Sequence, residues 1–232
     1  RPPIFVWDNS GGEEVAAVCA EHGIKRLHRN GENVSFAEAN NLLAAEFKGD
    51  VLLINDDCMV APGCIDAMLA ARREGVDLVG AKLLYLDSRI QHYGIGFSWE
   101  MHPFHIGRFE PHDSEWGSAN RVVPAATAAL LLVNRKYWDL VGGFDTDYFF
   151  GYEDIALCLQ ARALGAVCGV VKDAIATHLE SQSAGRSDHD ERNWRVFQRK
   201  WIDSGDINAA LGVWRVWLTN TLQQVRGPDH EM

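Results

Sequence analysis

The sequence predicts an α/β domain, a sheet with helices packed against it. Three observations carry this. From Ile4 to Tyr85, short apolar runs and amphipathic stretches alternate at the spacing of strands and helices joined by short turns. Val51-Leu52-Leu53-Ile54 is a continuous apolar run between Asp50 and Asn55, which suits a strand buried on both faces, as in a parallel sheet. Polar turns follow the strands directly, and in open α/β sheets ligands bind beyond the carboxyl ends of strands.

Taken in order, Ile4 to Trp7 reads as a strand ending in Asp8-Asn9-Ser10-Gly11-Gly12, with Asn9 or Ser10 available to cap a helix from Glu13. Val15, Val18 and Cys19 form the apolar side of that helix. Ile24 to Leu27 is a second strand, and Asn30-Gly31-Glu32-Asn33 a loop. Ser35 to Phe47 is a helix with Phe36, Asn40, Leu43 and Phe47 along one side, and Ser35 with Glu38 forms a capping box. After the Val51–Ile54 run comes Asn55-Asp56-Asp57. Pro62 opens a helix with Ile65, Met68 and Leu69 facing in, and Leu78 to Tyr85 is a strand. Asp8 and Asp57 both lie past strand ends, which is the reason to expect them in one site.

From Asp87 to Ala119 the periodicity fades and histidine and aromatic residues concentrate, among them His92, Trp99, His102, Phe104, His105 and Trp116. No pair has zinc spacing. A long aromatic loop is either a functional wall, suited to the apolar faces of sugars, or a loop packed on the core. Val122 to Val133 is the next strand region and Arg135 to Val141 a short helix. Ala166 to Val171 and Ala174 to Thr177 are strands ending at His178. Asp190 to Ile202 is a helix with Trp194, Phe197, Gln198 and Trp201 on one side. Asp206 caps a last helix carrying Leu211, Trp214, Leu218 and Val225.

The chain has 232 residues, of which 47% are hydrophobic, enough to bury a substantial core. A net charge of −10 argues against a nucleic-acid partner, which needs a positive face, and suits binding of anions through a metal ion. The five cysteines fall in apolar segments without zinc spacing and read as core thiols in a reducing compartment. No apolar run reaches membrane-spanning length and no signal peptide is visible, so the expectation is a cytoplasmic protein.

Val141 to Leu164 is the organising stretch. A glycine pair breaks the preceding helix, an aromatic loop follows, and a new helix opens with Glu153 and Asp154. Acids in a first turn are favoured by the helix dipole alone. Two of them behind an aromatic, glycine-hinged loop also suit a general base, because a partly desolvated carboxylate binds a proton more readily. Asn55-Asp56-Asp57 likewise has two readings. It is an ordinary polar turn, or a holder for a hard divalent ion that leaves positions open to phosphate oxygens.

Together these segments resemble the inverting family-two glycosyltransferases with a GT-A fold, the bacterial rhamnosyltransferase-like members in particular. Asp8-Asn9-Ser10 is similar to the acidic turn of the nucleotide site. Arg29-Asn30 through Asn40-Asn41 is similar to the N-x-G-x-x-x-x-x-N region. Asn55-Asp56-Asp57 stands where the D-x-D motif does, with Asn55 in place of its first acid. Gly142-Gly143-Phe144-Asp145, Tyr152-Glu153-Asp154 and Leu157-Cys158-Leu159 match the GGFD…YED…LCL block. His178, Glu180-Ser181 and Ser183 are similar to an H-x-E-S-x-S segment, Arg192 to Trp201 to a terminal aromatic helix, and Arg89 to Gly94 to an IQHAG turn.

The resemblance implies a Rossmann-like, mixed and mostly parallel sheet flanked by helices, with C-terminal helices. It places the transferase core at residues 1–185, lacking the family's first strand, and a helical extension at 186–232. It implies Asp154 as general base with Glu153 beside it. Asp57, with Asn55 and His178, would hold Mg²⁺ or Mn²⁺, and Asp8, Asn9, Ser10, Arg29, Asn30, Asn41 and Asp56 would contact the nucleotide. The reaction implied is inverting transfer from a nucleotide-sugar donor to a glycan or lipid-linked acceptor in bacterial surface polysaccharide synthesis. A last helix with Trp214, Trp217, Leu218, Arg215 and Arg226 suggests peripheral contact with the inner membrane or a homo-oligomer. The alternative of a different class is a non-catalytic module that only binds a nucleotide, glycan or protein. Retention of Asp57, Asp154 and His178 favours the enzyme.

Overall fold

The computed structural model describes residues 2–29, 33–179 and 190–212. It opens with two short parallel strands, β1 (Phe5–Trp7) and β2 (Arg26–His28), joined by the helix α1 (Glu14–Glu21). Glu13, not Asn9 or Ser10, occupies the N-cap of α1, and it makes no side-chain cap. Val18 lies exposed on α1 while Cys19 is buried, so the apolar side of this helix is narrower than its sequence suggests. Helix α2 (Phe36–Ala44) begins as expected, with the Ser35 hydroxyl accepting from the Glu38 N–H at 3.1 Å. Its inward face is built from Ala37, Ala39 and Ala44, small residues that let the helix approach closely.

The main sheet runs in the order β3 (Val51–Ile54), β10 (Leu130–Val133), β5 (Leu78–Leu84), β11 (Cys168–His178), β4 (Cys58–Val60). β3 and β5 are each antiparallel to β10, and β11 is parallel to β5. Three strands therefore share one direction around a reversed β10. Two short strands pair off this path. β6 (Ile90–His92) pairs with the end of β5, and β9 (Arg121–Val122) pairs with the start of β11.

The sheet is covered on both faces, which is why its central strands are apolar without alternation. Along β10, Leu131 and Val133 join one core and Leu130 and Leu132 the other. The second core is closed by α3 (Cys64–Arg73) through Cys64, Met68 and Ala71, whereas Leu69, expected inside, is exposed. The first is closed by α4 (Arg135–Val141), α5 (Glu153–Ala163), α6 (Asp190–Phe197) and α7 (Asp206–Leu211). Helix α5 is buried nearly all round, with Ile155 through Leu159 and Ala161 inside. Each fully buried leucine there contributes about 1.5–3 kcal/mol.

Some expectations need correction. Ile54 is 45% exposed, because β3 pairs only with β10 among the described strands and its end projects past the core. The two strands expected after Ala166 are one, β11, bulged between Val171 and Ile175 where Lys172 and Asp173 turn to solvent. The 87–119 stretch is not irregular throughout. It contains β6 and the hairpin β7 (Ile95–Phe97) to β8 (Pro103–His105), with His92, Tyr93 and Phe97 buried and Trp99 and Phe104 exposed. Beyond α6 the backbone widens into a π-helix, Gln198–Asp203, and Gly205 caps α7 with Asp206 in its first turn. Asn30, the segment from Glu180 to Ser183, and the last-helix residues Trp214, Arg215, Trp217, Leu218 and Arg226 lie outside the described residues.

Candidate functional site

The site gathers where β3, β6 and β11 end. Past Ile54, the Asn55 N–H donates to Ala129 O at 2.9 Å and the Cys58 N–H returns to Asn55 O at 3.2 Å, so residues 55–58 form a tight turn. Cys58 then pairs with His178, which brings the end of β11 beside this turn. As a result Asp57 Oδ1 lies 3.0 Å from His178 Nε2, and the Asn55 amide nitrogen lies 3.5 Å from the same ring nitrogen. His178 Nδ1 faces Gln91 Oε1 at 2.7 Å, while Gln91 Nε2 donates to the His178 carbonyl at 3.0 Å. Asp56 is exposed on the turn.

The second half of the site is the loop between α4 and α5. Gly142 and Gly143 both take φ of +81°, the left-handed region that favours glycine. A Cβ on Gly143 would overlap the Asn41 side-chain oxygen. That oxygen accepts from the Phe144 N–H at 2.8 Å, and the Asn41 amide nitrogen donates to Phe144 O at 2.9 Å. The glycine pair thus makes room for an amide that grips the loop. On the other side Asn193, fully buried on α6, holds Phe149 in the same two-handed way.

Phe150, Gly151 and Tyr152 then run in succession through positive φ, at 56°, 130° and 73°. For the two non-glycine residues this costs about 1–3 kcal/mol each, a strain that collects at functional sites. It turns the chain back so that Glu153 Oε2 accepts from the Gly151 N–H at 2.6 Å, which pins the turn just before α5, whose N-cap residue, Tyr152, makes no side-chain cap bond. Glu153 is buried. Asp154, the next residue, is half-buried. Its Oδ1 accepts from Ile155 N–H at 2.8 Å and its Oδ2 from Ala128 N–H at 3.1 Å.

Ala128 connects the two halves. His92 Nε2 accepts from Thr127 N–H at 3.3 Å and from Gly94 N–H at 3.2 Å. A ring nitrogen that accepts twice carries no proton, so His92 is protonated on Nδ1 and donates to His105 Nδ1 at 2.7 Å. Burial holds the His92 imidazole well below its usual pKa, with the neighbouring His105 and His178 adding to the effect. A closed circuit of contacts follows: Asp57 to His178, Gln91 and His92 along β6, Thr127 to Ala129, and Asn55 back to Asp57. Asp154 is fastened to this circuit through Ala128.

The Asp8 group sits on the separate β1–β2 pair. Asp8 is buried, with Oδ1 accepting from Ser10 N–H and Oγ–H at 2.8 and 2.5 Å and Oδ2 from Arg29 Nε at 2.7 Å. Its pKa is lowered, first by the Ser10 hydroxyl and then by Arg29. Asn9 holds Val34 through both ends of its amide, at 3.0 and 3.2 Å. Asn9 and Asn41 therefore serve backbone segments. Gln91, His92 and Asn193 carry the site's geometry, although the sequence assigned them no role in it. Gln91 and His92 lie in the segment similar to the IQHAG turn and Asn193 in the segment similar to the terminal aromatic helix, and these were their sequence signals.

Among the described residues no group of three or more His, Cys, Asp or Glu side chains converges as a metal site. Asp57 and His178 nevertheless fit a hard divalent ion. Asp57 Oδ1 is buried with the His178 ring nitrogen beside it and no other hydrogen-bond donor, a position that suits a cation. Mg²⁺ is commonly held by one or two protein groups plus substrate phosphates, and two cis ligands at about 2.1 Å stand about 3.0 Å apart.

No protein-family model matches the chain. It is 34% identical over 191 residues to the uncharacterized protein y4gI of Sinorhizobium fredii, covering 76% of this chain and 21% of that protein. It is 29% identical over 159 residues to the O-antigen biosynthesis protein RfbC of Myxococcus xanthus, covering 64% of this chain and 12% of RfbC. It is also 28% identical over 217 residues to the N-acetylglucosaminyl-diphospho-decaprenol L-rhamnosyltransferase of Mycobacterium tuberculosis, covering 79% and 68% respectively. The chain thus spans a small part of the first two.

Among solved structures, GalNAc-T7 with UDP, GalNAc and Mn²⁺ superposes with a TM-score of 0.61 at 14% identity, over 76% of this chain and 37% of that one. The mannosyltransferase PcManGT from Pyrobaculum calidifontis, with GDP-Man and Mn²⁺, gives 0.55 at 14% identity, over 84% and 52%. The chain has the GT-A glycosyltransferase fold. Within that fold, its relatives by sequence include a rhamnosyltransferase and an O-antigen biosynthesis protein. No helix among the described residues is long and apolar enough to cross a membrane.

Proposed function

We propose that this chain is the catalytic domain of a metal-dependent, inverting glycosyltransferase. It moves a sugar from a nucleotide-diphosphate donor to a glycan or lipid-linked acceptor in bacterial surface polysaccharide synthesis. The observation that carries this reading is the circuit that ties the Asp57–His178 pair to Asp154 through β6 and Thr127–Ala129. An anion-side group and a base-side group are held in one rigid frame at the strand ends.

In the reaction, the acceptor hydroxyl gives its proton to an Asp154 carboxylate oxygen. The two backbone N–H groups on that carboxylate fix its orientation and leave a lone pair on each oxygen. The acceptor oxygen forms a bond to the anomeric carbon as the bond from that carbon to the diphosphate oxygen breaks. The nucleoside diphosphate leaves with the electron pair. One displacement with attack opposite the leaving group inverts configuration. Asp57 and His178, with Asn55 near them, would hold Mg²⁺ or Mn²⁺, and such an ion neutralises the charge that grows on the departing diphosphate. Glu153 pins the turn before α5 through the Gly151 N–H and supports the base. Asp8, Ser10, Arg29 and Asp56 form the nucleotide side.

Calorimetric titration with UDP, dTDP and GDP, each with and without Mn²⁺, tests this. Metal-dependent binding of one nucleotide is expected. Binding of none of them would favour a non-catalytic module, a reading supported by the separation of β1–β2 from the main sheet.

A further inference from the structure

Gln91 is the middle residue of β6 and is 3% exposed. A glutamine buried beside a sheet needs partners for both ends of its amide, and here one residue supplies both. Gln91 Nε2 donates to the His178 carbonyl at 3.0 Å, and Gln91 Oε1 lies 2.7 Å from His178 Nδ1. The first bond settles the second. With the amide nitrogen turned to a carbonyl, the ring can face only the amide oxygen, which accepts and never donates. The proton therefore sits on Nδ1.

The consequence falls on the other ring nitrogen. In neutral His178, Nε2 presents its lone pair toward Asp57 Oδ1, 3.0 Å away. That oxygen is itself buried, with no donor other than the ring nitrogen within reach. Two acceptors face each other, an arrangement relieved by a metal cation between or beside them or by a second proton on the ring. The opposite tautomer would put an N–H on Nε2, satisfy Asp57 directly and close the position to a metal.

We infer that Gln91 is a positioning residue that selects the Nδ1–H tautomer of His178 and so keeps Nε2 and Asp57 available to a divalent cation. The inference rests on the metal reading given above. It adds a residue that touches neither metal nor substrate and acts only through the orientation and tautomer of a ligand, as outer-sphere partners of ligating histidines do.

The test uses Mn²⁺ alone as probe, with water-proton relaxation for affinity and nitrogen-15 NMR of the His178 ring for the tautomer. Wild type is expected to bind Mn²⁺ and to show His178 protonated on Nδ1. Gln91→Leu, which keeps the bulk and removes both partners, is expected to weaken Mn²⁺ binding about 10–100-fold and to admit the Nε2–H form. Gln91→Glu keeps an acceptor opposite Nδ1 but loses the donor to the His178 carbonyl, and should hold Mn²⁺ more tightly than Gln91→Leu. No Mn²⁺ binding by wild type would overturn the metal reading itself. Equal affinity in wild type and Gln91→Leu, with the tautomer unchanged, would leave that reading standing and overturn the role of Gln91. Should Gln91→Leu fail to fold, a wild-type ring protonated on Nε2 alone overturns it equally.

Discussion

Asn193 holds Phe149 from both sides: its amide oxygen accepts from the Phe149 N–H at 3.2 Å and its amide nitrogen donates to the Phe149 carbonyl at 2.8 Å. The asparagine is fully buried on α6, and the residue it holds begins the strained turn that leads to Asp154. Helix α6 is thereby the brace for the loop on one side, as Asn41 on α2 is at Phe144 on the other.

Asn193→Ala should therefore loosen the loop without dissolving the fold. Two hydrogen bonds at about 1 kcal/mol each give an expected loss of about 2 kcal/mol in urea unfolding, with more if the Phe149 groups stay dry and unpaired. Amide exchange at residues 149–152 should quicken more than exchange in β5 or β10. Uniform exchange across the chain would mean the brace is not local.

These clamps explain how far the sequence could be read. The Val51–Ile54 strand, the Ser35 cap, α4 and the start of α5 have local signatures, and they appear where the pattern put them. The amides have none. Asn41 reaches a backbone 103 residues away, Gln91 one 87 away and Asn193 one 44 away, so nothing near them in sequence marks the partner. Asn41, whose sequence neighbourhood suggested a nucleotide contact, is engaged at both ends by Phe144. The 87–119 stretch hid its strands because each is three residues long, too short to display alternation. In β11, the solvent-facing bulge at Lys172 and Asp173 imitated a break between strands.

The buried His92 makes a prediction about acid. Its folded pKa is lowered, so as pH falls below about 6.5 the unfolded chain takes up a proton at this residue that the native protein refuses. The unfolded state binds more protons, and stability falls with falling pH, by at most about 1.4 kcal/mol per unit from this residue. Above that range His92 contributes no pH dependence. The groups that face it are His105 and His178. His92→Gln retains an acceptor for the Thr127 and Gly94 N–H groups and cannot titrate. Urea midpoints measured from pH 7.5 to 5.5 should fall less steeply in the variant. Parallel slopes for the two proteins would rule out His92 as the source.

Asp57→Ala removes the half-buried carboxylate that faces His178. Nucleotide affinity measured with Mn²⁺ should drop to the level seen in wild type treated with a chelator, and adding Mn²⁺ to the variant should restore nothing. The fold should persist, since the carboxylate is half-buried and its close side-chain neighbour is the His178 ring, which Gln91 holds independently. Unchanged Mn²⁺-dependent affinity would remove Asp57 from the site.

Asp154→Asn separates the two meanings of an acid at a helix start. An amide oxygen can still accept from the Ala128 or Ile155 N–H, so the loop keeps most of its anchorage, but an amide accepts no proton at neutral pH. If Asp154 is the base, transfer should fall by about 10²–10⁴-fold while donor binding is spared, because the donor is held on the Asp57 side. If it serves only the helix dipole, the change should cost a few tenths of a kcal/mol and leave turnover intact. Glu153 sharpens the comparison. Its carboxylate is buried and turned back on Gly151 at 2.6 Å, where it pins the turn before α5, so Glu153→Gln should lower stability more than turnover. The two neighbours are thus expected to fail in opposite ways, one in rate and one in folding. Single-turnover transfer and urea unfolding on both variants measure this directly, and near-normal turnover in Asp154→Asn alongside loss in Glu153→Gln would exchange their roles.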